Sequence, residues 1–553
     1  MNFTKNVFPK YKITTITFED TDMALTEWTS DIVTVKITDI FVKLQQFSTF
    51  TSQNGGLTNC WLGPHLYYII TEPVKTEAVL KNNLEKDETI RFLRALVGNA
   101  SIFAPVPIWK PRRKVSVPAF SPKIISNFVK IFIVQSEKLV TKLAQRAGTG
   151  DFEIWPFLNA YSLDAILESA MGVQIDVQDN CNNEILTAVN TKRVRTLLDR
   201  LNNMHLKIGF TIEEEKDGTL PFLDVLVKRK SSGSLVHTLF RKPTHTNQYL
   251  KAVSHHLSSH LSSVPRTLRV RIETLRASVG EQWLQLATEL STGKHDHQTA
   301  ASTCGAGPGI STITERGKIR DTGSETTFLD LLISMSGGDS GYTEVELREE
   351  VLTFLLAATD TSAVAMGFVL KLVGKYPDVQ EKIYRELQDV FGDMERPLEK
   401  GDLPKLQYLE RVIKETLRLY PSVPFIIRKA DTDTVIPGDT LIPEGSGILI
   451  SIWGIHRNQN IWGSDADCFD PDRFLPERLS GLHPCAYIPF SYGPRNCLGY
   501  QYAMMSIKTT LCTILRRYKV ISIPEPTPIP NMRVKFDIML KAVDEFVVAL
   551  ESR

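Results

Sequence analysis

Phe490-Ser-Tyr-Gly493-Pro-Arg495-Asn-Cys497-Leu-Gly499, near the C-terminal end of the 553-residue chain, decides how the rest is read. The apolar spacing that follows predicts a helix from Leu498 to about Arg517. Cys497 then lies just before a helix start, where unpaired N–H groups and the helix dipole favour a thiolate over a thiol. Gly493 and Gly499 permit a tight turn and a close approach of backbone to a flat cofactor. Phe490 offers a ring to pack beneath such a cofactor, and Arg495 a partner for a carboxylate.

The pattern Phe-x-x-Gly-x-Arg-x-Cys-x-Gly resembles the haem-binding signature of the cytochromes P-450, and all five fixed positions match. Four further stretches resemble the same family in the same order. Trp109 and Arg113, four apart and followed by Val117-Pro-Ala-Phe120, look like its propionate-binding helix, since that spacing puts both on one helix face. Ala357-Ala-Thr-Asp360-Thr361-Ser362 lies in an expected central helix from Glu349 to Gly374 and is similar to the family's acid-Thr pair, which relays protons. Ala358 replaces the usual Gly there, adding bulk that narrows the oxygen pocket. Glu415 and Arg418, on an apolar stripe from Tyr408 to Tyr420, resemble the Glu-x-x-Arg pair, which with Arg473 implies a buried structural charge triad. Arg428 stands where the family places a second propionate ligand.

The resemblance implies a mainly α fold with a small β-rich lobe, enclosing haem b with Cys497 as the axial thiolate. It implies insertion of one oxygen atom from O2 into an apolar substrate, with electrons from NADPH through NADPH-cytochrome P-450 reductase. The likeness is to the branch that includes fatty-acid ω-hydroxylases. Some members of that branch bond haem covalently through a Glu at the position of Ala357, so non-covalent haem is expected here. By resemblance the protein belongs on the cytosolic face of the endoplasmic reticulum membrane, although neither an anchor helix nor a signal-peptide core is legible in the first residues. The apolar run Val351–Leu370 is of spanning length, but Asp360 at its centre argues for a core helix.

The two halves that carry the resemblance, residues 56–189 and 324–553, are separated by a stretch of different character. Residues 191–320 hold 20 of the 64 basic residues but only 11 of the 63 acidic ones, and eight of the eleven histidines fall there. Leu220-Pro-Phe-Leu-Asp-Val-Leu-Val-Lys-Arg-Lys230 and its neighbours look like part of a mobile-element reverse transcriptase lacking its Tyr-x-Asp-Asp box. Residues 190–323 are therefore expected to be a foreign α+β or disordered insert ending in a Ser/Thr/Gly-rich linker, with a strand-like core at Phe222–Val227. His255, His256 and His260 have no cysteine or acidic partner at ligand spacing, so no zinc site is expected. The spread-out basic charge does not imply nucleic-acid binding. The insert occupies the family's substrate-roof helices, so the alternative is a catalytically impaired chimera. Seven cysteines without a C-x-x-C pair suit a reduced compartment. Residues 1–55 read as an atypical, mixed segment with β-leaning pieces such as Ile32–Ile37.

Overall fold

The computed structural model describes residues 37–62, 65–87, 100–172, 174–179, 219–222, 225–229, 235–239, 328–329, 332, 342–392 and 396–553. The chain divides into one compact unit of Met1–Asn190 with Leu284–Arg553 and a second of Thr191–Trp283.

In the first unit the N-terminal half supplies α1 (Ile37–Gln53), β1 (Leu57–Leu62), β2 (His65–Ile70), α2 (Pro73–Asn82), α3 (Val106–Ala119), α4 (Pro122–Leu143), β3 (Phe152–Glu153) and α5 (Trp155–Met171). The β-leaning piece at 32–37 lies outside the described residues but for Ile37, where helix α1 begins. Its buried positions Phe41, Ser48 and Thr51 recur at helical spacing, but two of the three are polar, which hides the stripe from a hydrophobicity reading. Those hydroxyls are satisfied by others, Ser48 by Ser451 at 2.7 Å and Thr51 by Thr58 at 2.5 Å. Phe41 is fully buried against Phe425, Trp453 and Phe536. Helix α5 stops at Gly172, which takes a left-handed φ of 68° that suits glycine.

The second unit contains the antiparallel strands β4 (Thr219–Phe222), β5 (Val225–Arg229) and β6 (Leu235–Leu239), in that order. The expected strand core at Phe222–Val227 is thus the junction of β4 and β5. His255, His256 and His260, the linker and the remaining expectations for residues 190–323 lie outside the described residues.

The C-terminal half of the first unit supplies α6 (Glu344–Lys375), α7 (Pro377–Phe391), α8 (Gln407–Leu419), β7 (Phe425–Lys429), β8 (Thr434–Ile436), β9 (Thr440–Ile442), β10 (Gly447–Ser451), α9 (Tyr500–Arg517), β11 (Tyr518–Ile521), β12 (Val534–Asp537), β13 (Met539–Ala542) and β14 (Val547–Ser552). Helix α6 is the axis, packed on α5, α8 and α9. Every residue from Ser362 to Leu370 is buried, as expected of a helix apolar all round. A capping box starts α6 five residues before the expected Glu349: Glu346 accepts from the Thr343 N–H at 2.9 Å and donates its own N–H to the Thr343 hydroxyl at 3.3 Å. The stretch Glu349–Lys375 has the length and composition of a membrane span, but it is mostly buried as the core of this unit.

The β lobe is the sheet β1-β2-β10-β7, in which only the β2 and β10 pair is parallel. The stretch from Thr440 to Ile455 is divided among three elements. Strand β9 pairs with β8, β10 joins the larger sheet, and Ile452–Ile455 forms one helical turn capped by the Ser451 hydroxyl. Near the C-terminal end β12 pairs with β13, whereas β14 pairs with β11 and β3.

Candidate active site

The cysteine loop is anchored by its own backbone. The Cys497 N–H donates to the Phe490 carbonyl at 2.9 Å, and the Asn496 N–H to Gly493 at 3.0 Å. Gly493 has a φ of 73°, and a Cβ there would stand 2.6 Å from the Leu80 carbonyl oxygen of α2, so only glycine fits. Gly499 differs. It caps α9 at a φ of −87°, which any residue adopts, and a Cβ there would meet no protein atom within 4 Å. Its smallness leaves room beside the cysteine and is not needed for the turn. Phe490 packs edge-on against Tyr500 at 4.8 Å.

Cys497 keeps surface open to solvent, yet protein around its sulfur pushes the thiol pKa up, against the pull of the Gly499 N–H and the Arg113 charge. Desolvation thus opposes the helix-start effect that favours a thiolate, and a bound metal ion is a further charge that would draw the sulfur towards the thiolate.

Helix α3 brings Trp109 and Arg113 to this loop together. The Arg495 guanidinium stacks on the Trp109 ring at 4.1 Å and donates to the carbonyls of Ser101 and Ala104, at 3.3 and 2.8 Å. Arg113 donates to the Asn496 carbonyl at 3.0 Å and to its side-chain oxygen at 2.5 Å. Arg428, fully buried on β7, has among the described residues the Ile427 carbonyl at 3.3 Å as its one side-chain partner, and its Nε has none there. Burial alone lowers its pKa to about 10. Lys86 bridges to Arg428 through the backbone, and desolvation, with Arg428 and Arg495 adding repulsion, holds its ammonium well below the ordinary lysine range. Sequence reasoning missed Lys86, because only the fold brings it beside β7.

Helix α6 presents Phe354, Ala357, Ala358 and Thr361, one turn apart, as a half-buried stripe. The Thr361 hydroxyl donates to the Ala357 carbonyl at 2.6 Å, leaving its lone pairs free to accept. Asp360 turns elsewhere. It is fully buried and accepts from Asn159 of α5 at 3.4 Å, so the two members of the expected pair face different surroundings.

The expected triad is assembled, though unevenly. Arg418 makes two bonds to Glu415, at 2.7 and 2.8 Å, and both residues are fully buried. Arg418 also gathers the carbonyls of His456, Ala466 and Cys468 at 2.7, 2.5 and 3.0 Å. Arg473 stands 3.6 Å from Glu415 but is closer to Asp465, at 2.8 Å.

A flat macrocycle with two carboxylates suits this donor set. The observations are the unpartnered Nε of buried Arg428, a crowd of cations on one side, and the open space at Gly499 beside a cysteine. The family model described as "Cytochrome P450" matches residues 35–207 and 310–547. The chain belongs to the cytochrome P450 family. It is 29% identical to "Cytochrome P450 4g15" of Drosophila melanogaster over 90% of this chain and 86% of that protein. Identity is 31% to "Cytochrome P450 4c21" of Blattella germanica, over 89% and 85%. With "Cytochrome P450 4V2" of Homo sapiens it is 30%, over 84% and 77%. A crystal structure of a cytochrome P450, CYP102L1, shares the fold with a TM-score of 0.65 at 20% identity, covering 92% of this chain and 94% of that one. The cytochrome P450 match begins before residue 56 and so takes in α1, in keeping with the packing of Phe41. Membership makes the chain a monooxygenase of the oxidoreductase class and implies a haem whose iron has a cysteine thiolate ligand.

Proposed function

We propose that this cytochrome P450 inserts one oxygen atom into a C–H bond of an apolar substrate of the fatty-acid, lipid-hormone or xenobiotic class, using electrons from NADPH through NADPH-cytochrome P-450 reductase. The carrying observation is that Arg428, buried and without a bonded carboxylate among the described residues, gathers with Lys86 and Arg495 near the cysteine loop. When bound, the haem supplies thiolate-ligated iron that activates dioxygen, and the thiolate favours O–O cleavage. Cys497 is the ligand in this reading. Trp109, Arg113, Arg428 and Arg495, with Lys86 added, hold the propionates, and Phe490 and Gly499 make room for the ring. Thr361 holds a proton at Oγ1 on the half-exposed face of α6. Asp360, bonded to Asn159, fixes α6 against α5 and serves the relay only after turning. Ala357 carries no carboxylate, so the haem is held non-covalently. By its relatives in family 4, we place the protein at the cytosolic face of the endoplasmic reticulum membrane.

The test is the absorption of the reduced carbon-monoxide complex. The wild type gives the red-shifted thiolate Soret band and Cys497→Ser loses it; survival of the band in the variant would overturn the ligand assignment. Thr361→Ala keeps the band but diverts electrons to peroxide. Unchanged coupling of NADPH consumption to product would reduce Thr361 to a packing residue.

One observation favours a second reading, a haem protein impaired in turnover. The family match passes over residues 208–309, and Thr191–Trp283 forms a compact unit of its own. On that reading the chain is cut readily by protease between Asn190 and Gly323, loads haem at low occupancy and turns over poorly. A protease-resistant, fully loaded and active product would exclude it.

A further inference from the structure

His456 lies between the two parts of the molecule that hold the cysteine loop in register. It follows the helical turn Ile452–Ile455 and is fully buried. Its Nδ1 is 3.1 Å from the carbonyl oxygen of Arg418, at the end of α8. Its Nε2 accepts the Ile488 N–H at 2.9 Å, two residues before Phe490, whose carbonyl in turn accepts the Cys497 N–H. An N–H can only donate, so Nε2 must be the bare nitrogen and Nδ1 the protonated one, which satisfies both contacts with a single neutral tautomer. The ring also stacks on Tyr487 at 5.3 Å between centroids. Arg418 closes the circuit by donating to the His456 carbonyl at 2.7 Å.

We propose, resting on the haem-thiolate reading, that His456 is a positioning residue: a neutral strut that transmits the placement of the Glu415 and Arg418 pair to the start of the cysteine loop and makes that loop sensitive to acid. Protonation of Nε2 would put an N–H against the N–H of Ile488, so the strut cannot carry a proton and keep its contact. The surroundings oppose the proton as well. The ring faces Arg418 of α8, Arg457 of its own segment and Tyr487 of the loop, with no acid bonded to it, and Glu415 is already occupied by Arg418. Burial, then the Arg418 charge, lowers the imidazole pKa from 6.5 to about 3. A depressed histidine pKa stabilises the fold fully above the unfolded value of 6.5, and that stability is lost as pH falls from there towards 3.

The experiment compares His456→Gln and His456→Phe with the wild-type chain. Glutamine can donate and accept in the two directions but does not titrate, and phenylalanine keeps the ring without either bond. Unfolding is measured from pH 7 to 4. The Ile488 amide is followed by hydrogen exchange in the apoprotein, and the thiolate Soret band by pH titration of the haem-loaded protein. The wild type takes up about one more proton on unfolding near pH 5 than His456→Gln. His456→Gln holds the thiolate band to lower pH, and His456→Phe exchanges the Ile488 amide at least tenfold faster. An unchanged proton uptake and band midpoint in His456→Gln, with wild-type exchange at Ile488 in any folded His456→Phe, would reduce His456 to core filling. If His456→Phe does not fold, the glutamine variant alone decides. Absence of a thiolate band in the wild type would contradict the haem-thiolate reading itself, whereas the proton uptake and amide exchange still judge the strut.

Discussion

Two clusters of buried charge flank the cysteine loop, and they are built on opposite principles. Around α8, Glu415 answers Arg418 with two short bonds, and Arg473 has Asp465 at 2.8 Å as well as Glu415 at 3.6 Å. The remaining guanidinium N–H groups of Arg418 find backbone carbonyls. Around β7, Arg428 and Lys86 have no carboxylate bonded to them among the described residues, and Arg495 is held by carbonyls and the Trp109 ring. A lone buried charge is costly, so a fold keeps it only where something outside the chain completes it. In the first cluster each guanidinium has a carboxylate beside it, although the Arg473 Nε lacks a hydrogen bond, and the cluster holds structure; the second calls for an anion and marks the cofactor side.

The largest effect is expected at Glu415. Glu415→Ala strands Arg418 at full burial, with an expected loss of about 3–5 kcal/mol in urea unfolding and of haem retention with it. A loss under about 1 kcal/mol would mean that the cluster is not a closed ionic unit. A smaller effect separates the two glycines of the loop. Gly493→Ala meets the Leu80 carbonyl at 2.6 Å with a φ of 73°, which costs about 1–3 kcal/mol of apoprotein stability. Gly499→Ala should leave that stability unchanged and lower only haem loading, because nothing of the protein lies within 4 Å of the added methyl group. Equal effects of the two on the apoprotein would show that the loop does not distinguish turn from cradle.

Much of the cofactor side is legible in the sequence, because its side chains sit at short fixed spacings: Phe490, Arg495 and Cys497 in one loop, Trp109 and Arg113 one helical turn apart, Glu415 and Arg418 likewise. The helices with continuous apolar faces, α4, α5 and α8, are legible for the same reason. What remained hidden depends on pairing over long separations. Lys86 meets β7 only after some 340 residues of chain, and His456 joins Arg418 to Ile488 across 38 and 32 positions. Helix α1 was obscured because Ser48 and Thr51 occupy its buried stripe, a pattern that makes sense only once their hydroxyl partners are known. The start of α6 was in plain sight as Thr343-x-x-Glu346, a capping box whose distance from the apolar run concealed it.

Arg428→Met tests the cofactor side most directly, with apoprotein stability and haem affinity determined side by side. Removing a buried cation that lacks a bonded carboxylate should stabilise the apoprotein by about 1 kcal/mol or more. The same change deprives a propionate of a charge-assisted bond of about 1.5–3 kcal/mol, weakening haem binding roughly ten- to a hundredfold. Opposite signs in the two measurements are the predicted result. A destabilised apoprotein that binds haem as tightly as the wild type would place Arg428 among the structural charges and contradict the account.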